Sequence, residues 1–316
     1  MIAIFGGAGY IGSHIAREFD KSKLEYTVFD NKLATNGNLF AGNQVHCDIR
    51  DLSDLQKAFE GRNVELVIHL AGLKDARESD LEKEAYRQNN IEGTKNLLSV
   101  MTSAGCRKII YSSTAAVYKG TADTKLPFTE LSEISPPNFY GLSKFLAEEE
   151  IRKFSEESGI SALVFRFFNV VGANFPSSIE SIEGSITSNL IHAIRGSREF
   201  RVFGDNYETF DGTAVRDYVH VDDVVKAHLN AVNSLDGLMA SFNILNLGSS
   251  KGYSVLQLID EMSKVSGQSI RYVIDEGNKF DLPFAVADNT AAKKQLGWYP
   301  LKSINDICTD SLKYFH

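Results

Sequence analysis

Cysteine is scarce in this 316-residue chain: Cys47, Cys106 and Cys308 lie far apart, with no CxxC among them. An odd, dispersed set of thiols excludes a disulfide framework and reads as buried, reduced side chains. The seven histidines show neither HxxxH nor HxH spacing, so no metal site is expected. No apolar run approaches the roughly 18 residues needed to cross a bilayer. The first apolar run begins at Ile2, which leaves no room for a signal peptide, and a cytoplasmic location is expected. Basic side chains are outnumbered, 33 against 41 acidic, for a net charge of −8. That balance argues against nucleic acid or an anionic membrane as partner. It leaves room for an anionic small molecule held by helix ends and a few placed cations. Low-complexity tracts, internal repeats and charge blocks are also missing.

What is present is an alternation of apolar runs with helical spacing. Ile2 to Phe5 reads as a strand, followed by a helix through Ile11, Ile15 and Phe19. Further strands are expected at Tyr26 to Phe29, Gln44 to Cys47, Val64 to Leu70, Lys108 to Ser112 and Ala162 to Phe165. Helices are expected from Leu52 to Phe59, from about Leu81 to Ala104 and from Tyr140 to Ser158. The pattern predicts an α/β fold, a Rossmann-type doubly wound parallel sheet covered on both faces. It occupies residues 1–168; a smaller C-terminal α/β substrate lobe occupies 169–316, some of whose segments return to the first domain. Ligands of such sheets bind beyond the carboxyl ends of the strands, where this chain carries Gly, Asp, Ser and Asn.

Gly6, Gly9 and Gly12 form G-x-x-G-x-x-G directly between the first strand and the first helix. Glycine is needed where a backbone turns sharply and where a diphosphate approaches main-chain N–H groups. A turn alone would also use glycines, but the strand–turn–helix context is that of a dinucleotide site. Asp30 follows about 20 residues later, where a carboxylate accepts from both ribose hydroxyls and repels a 2′-phosphate, favouring NAD over NADP. Its other reading is a turn residue in Asp30-Asn31. Asp48 and Ile49 would flank the adenine; Asp48 could equally cap the helix near Leu52, and the two uses are compatible.

Tyr140 and Lys144 lie four apart in Tyr-Gly-Leu-Ser-Lys, on one helix face and about 6 Å apart at Cβ. A tyrosine serves as general base only if its pKa, about 10, falls by about 3 units, or roughly 4 kcal/mol. An ammonium about 6 Å away at an effective dielectric near 20 supplies on the order of 3 kcal/mol. The pair suffices physically, although Y-x-x-x-K also arises on solvated helix faces. Upstream, a strand ends in Tyr-Ser-Ser-Thr-Ala-Ala-Val-Tyr, where Thr114 can share the substrate oxygen with the tyrosine.

With these motifs placed, the chain resembles the extended short-chain dehydrogenase/reductases, and within them the UDP-sugar 4-epimerases. The similarity runs through GGAGYIGSH from Gly6, HLAGLK from His69, YGLSK from Tyr140, RFFN from Arg166 and FGDNY from Phe203. It includes DGTAVRDYVH from Asp211 and LGW from Leu296, and so covers nearly the whole length. The resemblance implies a tightly held NAD contacted by Tyr10, Ile11, Asn31, Leu70, Ala71, Gly72, Lys74, Asn89, Ser112, Lys144 and Phe167 beside the glycines, Asp30, Asp48 and Ile49. It implies that Thr114, Tyr140 and Lys144 are catalytic. A UDP-sugar would be held by Thr114, Asn169, Asn189, Phe203, Arg216, Tyr218, Asp281 and Ala285. Without the resemblance, Arg216 could equally make a surface ion pair. A homodimer is also implied.

The implied reaction is inversion at C4 of a UDP-hexose or UDP-N-acetylhexosamine through a transient 4-keto sugar. Related dehydratases and decarboxylases usually carry an acid just after the strand-end Thr, where this chain has Ala115 and Ala116. A non-catalytic NAD-binding sensor is the reading from another class, and the intact Thr114, Tyr140 and Lys144 set speaks against it. Two departures matter. Relatives often carry Arg-x-Gly-Asp where this chain has Asn278-Lys279-Phe280-Asp281, and some place a bulky Tyr where Ala285 stands. The smaller residue leaves more room beside C2 of the hexose.

Overall fold

The computed structural model describes residues 1–32, 40–119, 127–176, 182–234, 242–277 and 282–315. The chain divides into two compact units. The first comprises Met1–Val117, Ile134–Arg166 and His228–Leu245; the second comprises Tyr118–Glu133, Phe167–Ala227 and Asn246–His316.

The first unit is built on β1 (Ile2–Phe5), β2 (Tyr26–Asp30), β3 (Asn43–His46), β4 (Leu66–His69), β5 (Lys108–Thr114) and β6 (Ser161–Phe167), with a seventh strand, β10 (Phe242–Leu247), supplied by a returning segment. Their order is β10-β6-β5-β4-β1-β2-β3. The pairs β1–β2, β2–β3, β1–β4 and β4–β5 are all parallel. Strand order reverses between β1 and β4, the switch point at which ligands of open α/β sheets bind. The central strands are covered on both faces, as a doubly wound sheet requires: all four residues of β1 and of β4 are buried, whereas the edge strand β3 is polar and has no buried residue.

Helix α1 (Tyr10–Lys21) follows β1, and α2 (Leu52–Phe59) follows β3. The single helix expected from Leu81 to Ala104 is instead four segments: α3 (Ala76–Leu81), α4 (Lys83–Tyr86), a π-helical turn (Arg87–Glu92) and α5 (Gly93–Ser103). A competing polar contact explains the break. Asn90 accepts from the Leu73 amide (2.8 Å) and donates to the Leu73 carbonyl (3.0 Å), drawing the turn toward the loop after β4. Helix α6 (Phe139–Ser158) packs on β5 and ends at Gly159, whose φ of 64° closes it in the left-handed conformation.

In the second unit β9 (Val215–His220) pairs with β7 (Asn169–Val171) and β13 (Phe284–Ala285) in parallel and with β11 (Gly252–Ser254) antiparallel. A separate parallel pair joins β8 (Phe200–Phe203) to β12 (Tyr272–Asp275). Asp217, fully buried on β9, accepts from the amides of Ser249, Ser250 and Ala287 and from the Ser249 hydroxyl. Those four bonds satisfy the carboxylate and fix the two loops that follow β10 and β13. Among the described residues no helix is long and apolar enough to cross a membrane. No metal-ligating cluster is found among them either.

Candidate active site

The glycine turn shows which of its positions the fold demands. Gly6 has φ of +80°, and a Cβ there would lie 2.4 Å from the Ala71 backbone nitrogen. A Cβ on Gly12 would lie 2.5 Å from the Gly6 carbonyl oxygen, so this residue lets α1 pack against the turn. Gly9 differs. It is exposed, and the nearest protein atom would be 3.4 Å from an added Cβ. No protein atom of the fold demands glycine there, and the exposed backbone leaves room for a group to approach it from outside. Gly9 is also the N-cap of α1, without a side-chain cap and with no acid in the first turn, so the positive helix end is open to an anion.

Asp30 closes β2 beside this turn, accepting from the Ala8 amide (3.1 Å) and the Lys32 amide (2.9 Å). Burial raises its pKa, and those amide bonds oppose the rise. Asn31 and Arg50 both bond the Asp48 carboxylate, and the Arg50 bonds hold its pKa below the usual carboxylate range. The helix cap considered for Asp48 belongs instead to Asp51, which accepts from the Ser53 and Asp54 amides. Ile49 sits in the core, where Gly93 makes space for it. Tyr10 and Ile11 open α1, and Leu70 and Ala71 both donate to the Phe5 carbonyl. Gly72 lies beside Lys144: a Cβ on it would sit 3.6 Å from the lysine Nζ. Lys74 is exposed on the following loop.

Tyr140 is placed by the first turn of α6. Asn138 caps the helix by accepting from the Gly141 amide (2.9 Å), Asp80 accepts from the Phe139 amide, and Ser79 accepts from the Tyr140 amide. Gly141 brings the helix against the turn that follows Thr114, where any Cβ would meet the Ala116 carbonyl oxygen at 2.3 Å. This close approach joins the two hydroxyls. Thr114 donates to the Tyr140 oxygen, which lowers the phenol pKa against a larger rise caused by burial. Thr114 is itself fixed, accepting from the Ala116 amide at 3.1 Å.

Lys144 is 4% exposed, and its Nζ lies 4.4 Å over the Tyr111 ring. Burial brings the amine down to about 7, opposed by the charge of Glu148. The ammonium is therefore no fixed charge but one that nearby groups keep or lose. His69 Nε2 meets Thr94 Oγ1 at 2.9 Å, and Thr94 donates to the Asn90 carbonyl, so Nε2 carries the proton. Burial, with a smaller push from Lys144, takes the His69 pKa from 6.5 to about 3. A depressed histidine favours the unfolded chain wherever only the latter is protonated. Stability of the first unit should be fully present above pH 6.5 and decline as pH falls toward about 3. A His69→Gln variant should show a shallower acid dependence in urea titrations; an identical slope would remove His69 as the cause.

Several of these positions carried little sequence signal. Asn90, Ser143, Tyr111, Gly141 and Glu148 all shape the site, yet no role was expected of any of them; Gly141, a glycine inside a helical run, is the one signal that could have found its position. Asn90 also donates to Ser143 (2.9 Å), whose hydroxyl donates to the Tyr140 carbonyl (2.8 Å).

The substrate candidates other than Thr114 lie in the second unit. Asn169 is exposed at the start of β7, Asn189 is half-buried on α7 (Ile186–Ile194), and Phe203 is half-buried at the end of β8. Arg216 donates from Nη1 to the carbonyls of Val215 (2.9 Å) and Leu282 (2.6 Å). Ala285 is its register neighbour across the β9–β13 pair. Tyr218 is 2% exposed and packs in the core of that unit. Phe167 is buried at the end of β6. Lys279 and Asp281 fall outside the described residues.

The model of the NAD dependent epimerase/dehydratase family matches residues 2–248. The chain belongs to that family. Within it, the chain is similar to UDP-glucose 4-epimerase 2 of Arabidopsis thaliana, with 36% identity over 98% of this chain and 93% of the relative. Among solved structures, a UDP-glucose 4-epimerase from Bifidobacterium longum, in complex with NAD+ and UDP, superposes with a TM-score of 0.90. It is 31% identical and covers 99% of this chain and 97% of its own. The UDP-Glc/GlcNAc 4-epimerase of Campylobacter jejuni has a TM-score of 0.83 and 30% identity, with coverages of 99% and 98%.

The dinucleotide of this epimerase/dehydratase family is matched by what the first unit offers. The space over the Gly9 backbone, at the uncapped start of α1, is open to a diphosphate. The Asn89 Oδ1 and Ser112 Oγ atoms are buried without a hydrogen-bond partner among the described residues. Buried polar atoms are rarely left unpaired, and a bound ligand is one way to pair them.

Proposed function

We propose that the protein inverts C4 of a UDP-hexose or UDP-N-acetylhexosamine, with NAD as cofactor. The observation that carries this reading is the Thr114–Tyr140 hydroxyl pair with Lys144 one turn along the same helix. NAD supplies a hydride acceptor and later a hydride donor for C4, so the sugar passes through a 4-keto form. The chain's own groups handle the proton. Tyr140, as phenolate, takes the proton of the 4-hydroxyl and returns it after the sugar has turned. Thr114 donates to the same phenolic oxygen and steadies its charge. Lys144 as ammonium favours the phenolate and would hold the nicotinamide ribose, while Asp30 would accept from the adenine ribose.

The UDP group would be held by residues of the second unit. Arg216, oriented by the Leu282 carbonyl, suits a diphosphate because its planar fork donates bidentately. Phe203 would lie near the uracil, with Asn169, Asn189 and Asp281 on the rest of the nucleotide sugar. An acid for water elimination is not found after Thr114, where Ala115 stands, which disfavours dehydration. The remaining proposals are a homodimer and a cytoplasmic location; the three buried, unbridged cysteines suit a reducing compartment. Incubation with a panel of UDP-sugars, followed by NMR of the sugar stereochemistry, tests the reading. No C4-inverted product from any of them would leave a cofactor-binding protein without this chemistry.

Ala285 extends the proposal to substrate choice. A methyl group beside Arg216 leaves space for an acetamido group at C2, so UDP-GlcNAc should turn over at least as well as UDP-glucose. An Ala285→Tyr variant is expected to lose kcat/KM for the acetylated sugar by about 10-fold or more while keeping the plain hexose. Equal losses on both sugars would show that another side chain sets the choice.

A further inference from the structure

One turn beyond Lys144, on the same face of α6, lies a buried ionic group to which the reaction gives no role. Glu148 and Arg166 are 1% and 3% exposed. Arg166 donates from Nε to Glu148 Oε1 (3.1 Å) and from Nη2 to Oε2 (2.6 Å), a two-pronged bond. The Ser113 hydroxyl donates to Oε1 as well. The group joins three elements: Ser113 precedes Thr114 on β5, Glu148 lies one turn beyond Lys144 on α6, and Arg166 belongs to β6.

Stability alone is a poor reason for this arrangement. Apolar side chains of similar volume usually hold packed elements as well as a buried ion pair, or better. An apolar trio would lose two other things. One is the bond from Ser113, which ties α6 to the strand residue next to Thr114. The other is a negative charge at i+4 from Lys144, on the same helix face.

We propose that Glu148, held by Arg166 and Ser113, is a positioning residue that fixes α6 against the strand end bearing Thr114 and keeps the Lys144 ammonium protonated. This rests on the epimerase reading above. The groups acting on Lys144 are Glu148 from its own helix, the Tyr111 ring from β5 and His69 from β4. His69 titrates at about 3 and is neutral in the working range, and burial holds the Tyr111 phenol protonated. Glu148 is the group among these that opposes the loss of the lysine proton. Arg166 approaches from β6, one strand further out in the sheet order, and acts on Lys144 through Glu148.

The test uses Glu148→Gln, which keeps the size but takes the carboxylate charge away from Arg166, beside the double variant Glu148→Gln/Arg166→Met, which removes both charges. On the NAD-loaded protein, the ultraviolet difference absorbance of the Tyr140 phenolate is followed against pH, with Tyr140→Phe as the blank. The pH profiles of kcat and KM for the UDP-sugar are read in parallel. Both variants should raise the phenolate titration by about one pH unit and lower kcat at neutral pH about tenfold, with KM within about twofold. Glu148→Asp should recover part of the shift. A double variant with the parent's melting temperature, phenolate titration and kcat profile would overturn the proposal. If the Glu148 variants fail to fold, Ser113→Ala decides. It retains the ion pair and should lower kcat severalfold without moving the titration; an unchanged kcat would overturn the positioning role. Should the parent epimerise no UDP-sugar, the epimerase reading fails, while the phenolate titration still judges Glu148.

Discussion

Replacing Tyr140 by Phe should reduce kcat by about 10²–10⁴-fold, the span usually carried by a placed general acid–base, while NAD stays bound. The ring is retained, and the helix start is held by backbone bonds to Ser79 and Asp80 that the substitution does not touch. What is lost is the oxygen to which Thr114 donates. Steady-state kinetics, combined with cofactor release after denaturation, separates these effects. Activity within a few-fold of the parent would transfer the proton role to another group. A Thr114→Val variant is the natural companion, since it removes the donor but leaves the phenol.

The second large effect concerns stability. Arg166→Met leaves Glu148 buried without its two-pronged partner, with only the Ser113 hydroxyl and the Lys144 charge near it, and breaking a buried pair destabilises by about 3–5 kcal/mol. The loss should appear as a fall in the urea midpoint of the first unit. Adding Glu148→Gln to the same chain should recover much of it, because the stranded carboxylate is then gone. Non-recovery would point to packing around Arg166, rather than charge, as the source of the cost.

Much of the first unit was legible in its residues. Period and punctuation located β1, α1, β2, α2 and α6 because each is bounded by Gly, Asp or Asn and is apolar on the covered face. The glycine turn was readable for the same reason. The segment from Ala76 to Ser103 was not, because its breaks arise from the Asn90 carboxamide reaching back to Leu73, a contact 17 residues away in the chain. The Thr114–Tyr140 pairing had a sequence basis in two separate motifs, but the reason they meet, the Gly141–Ala116 approach, is a matter of packing. Glu148 belongs to no motif, and Arg166 stood only as the first residue of RFFN. Nothing in their spacing announced that both would be buried and joined. The second unit was the hardest to read, since its short strands follow no regular alternation and β13 has only two residues.

The π-helical turn at Arg87–Glu92 is, in effect, one residue too many. A chain lacking that residue would wind an ordinary helix there, and everything on its N-terminal side would rotate by about 100° about the helix axis. Asn90 would no longer point at Leu73, and the loop bearing Gly72 would lose its anchor beside Lys144. Single-residue deletions at this turn should therefore be far less tolerated than substitutions on its exposed side.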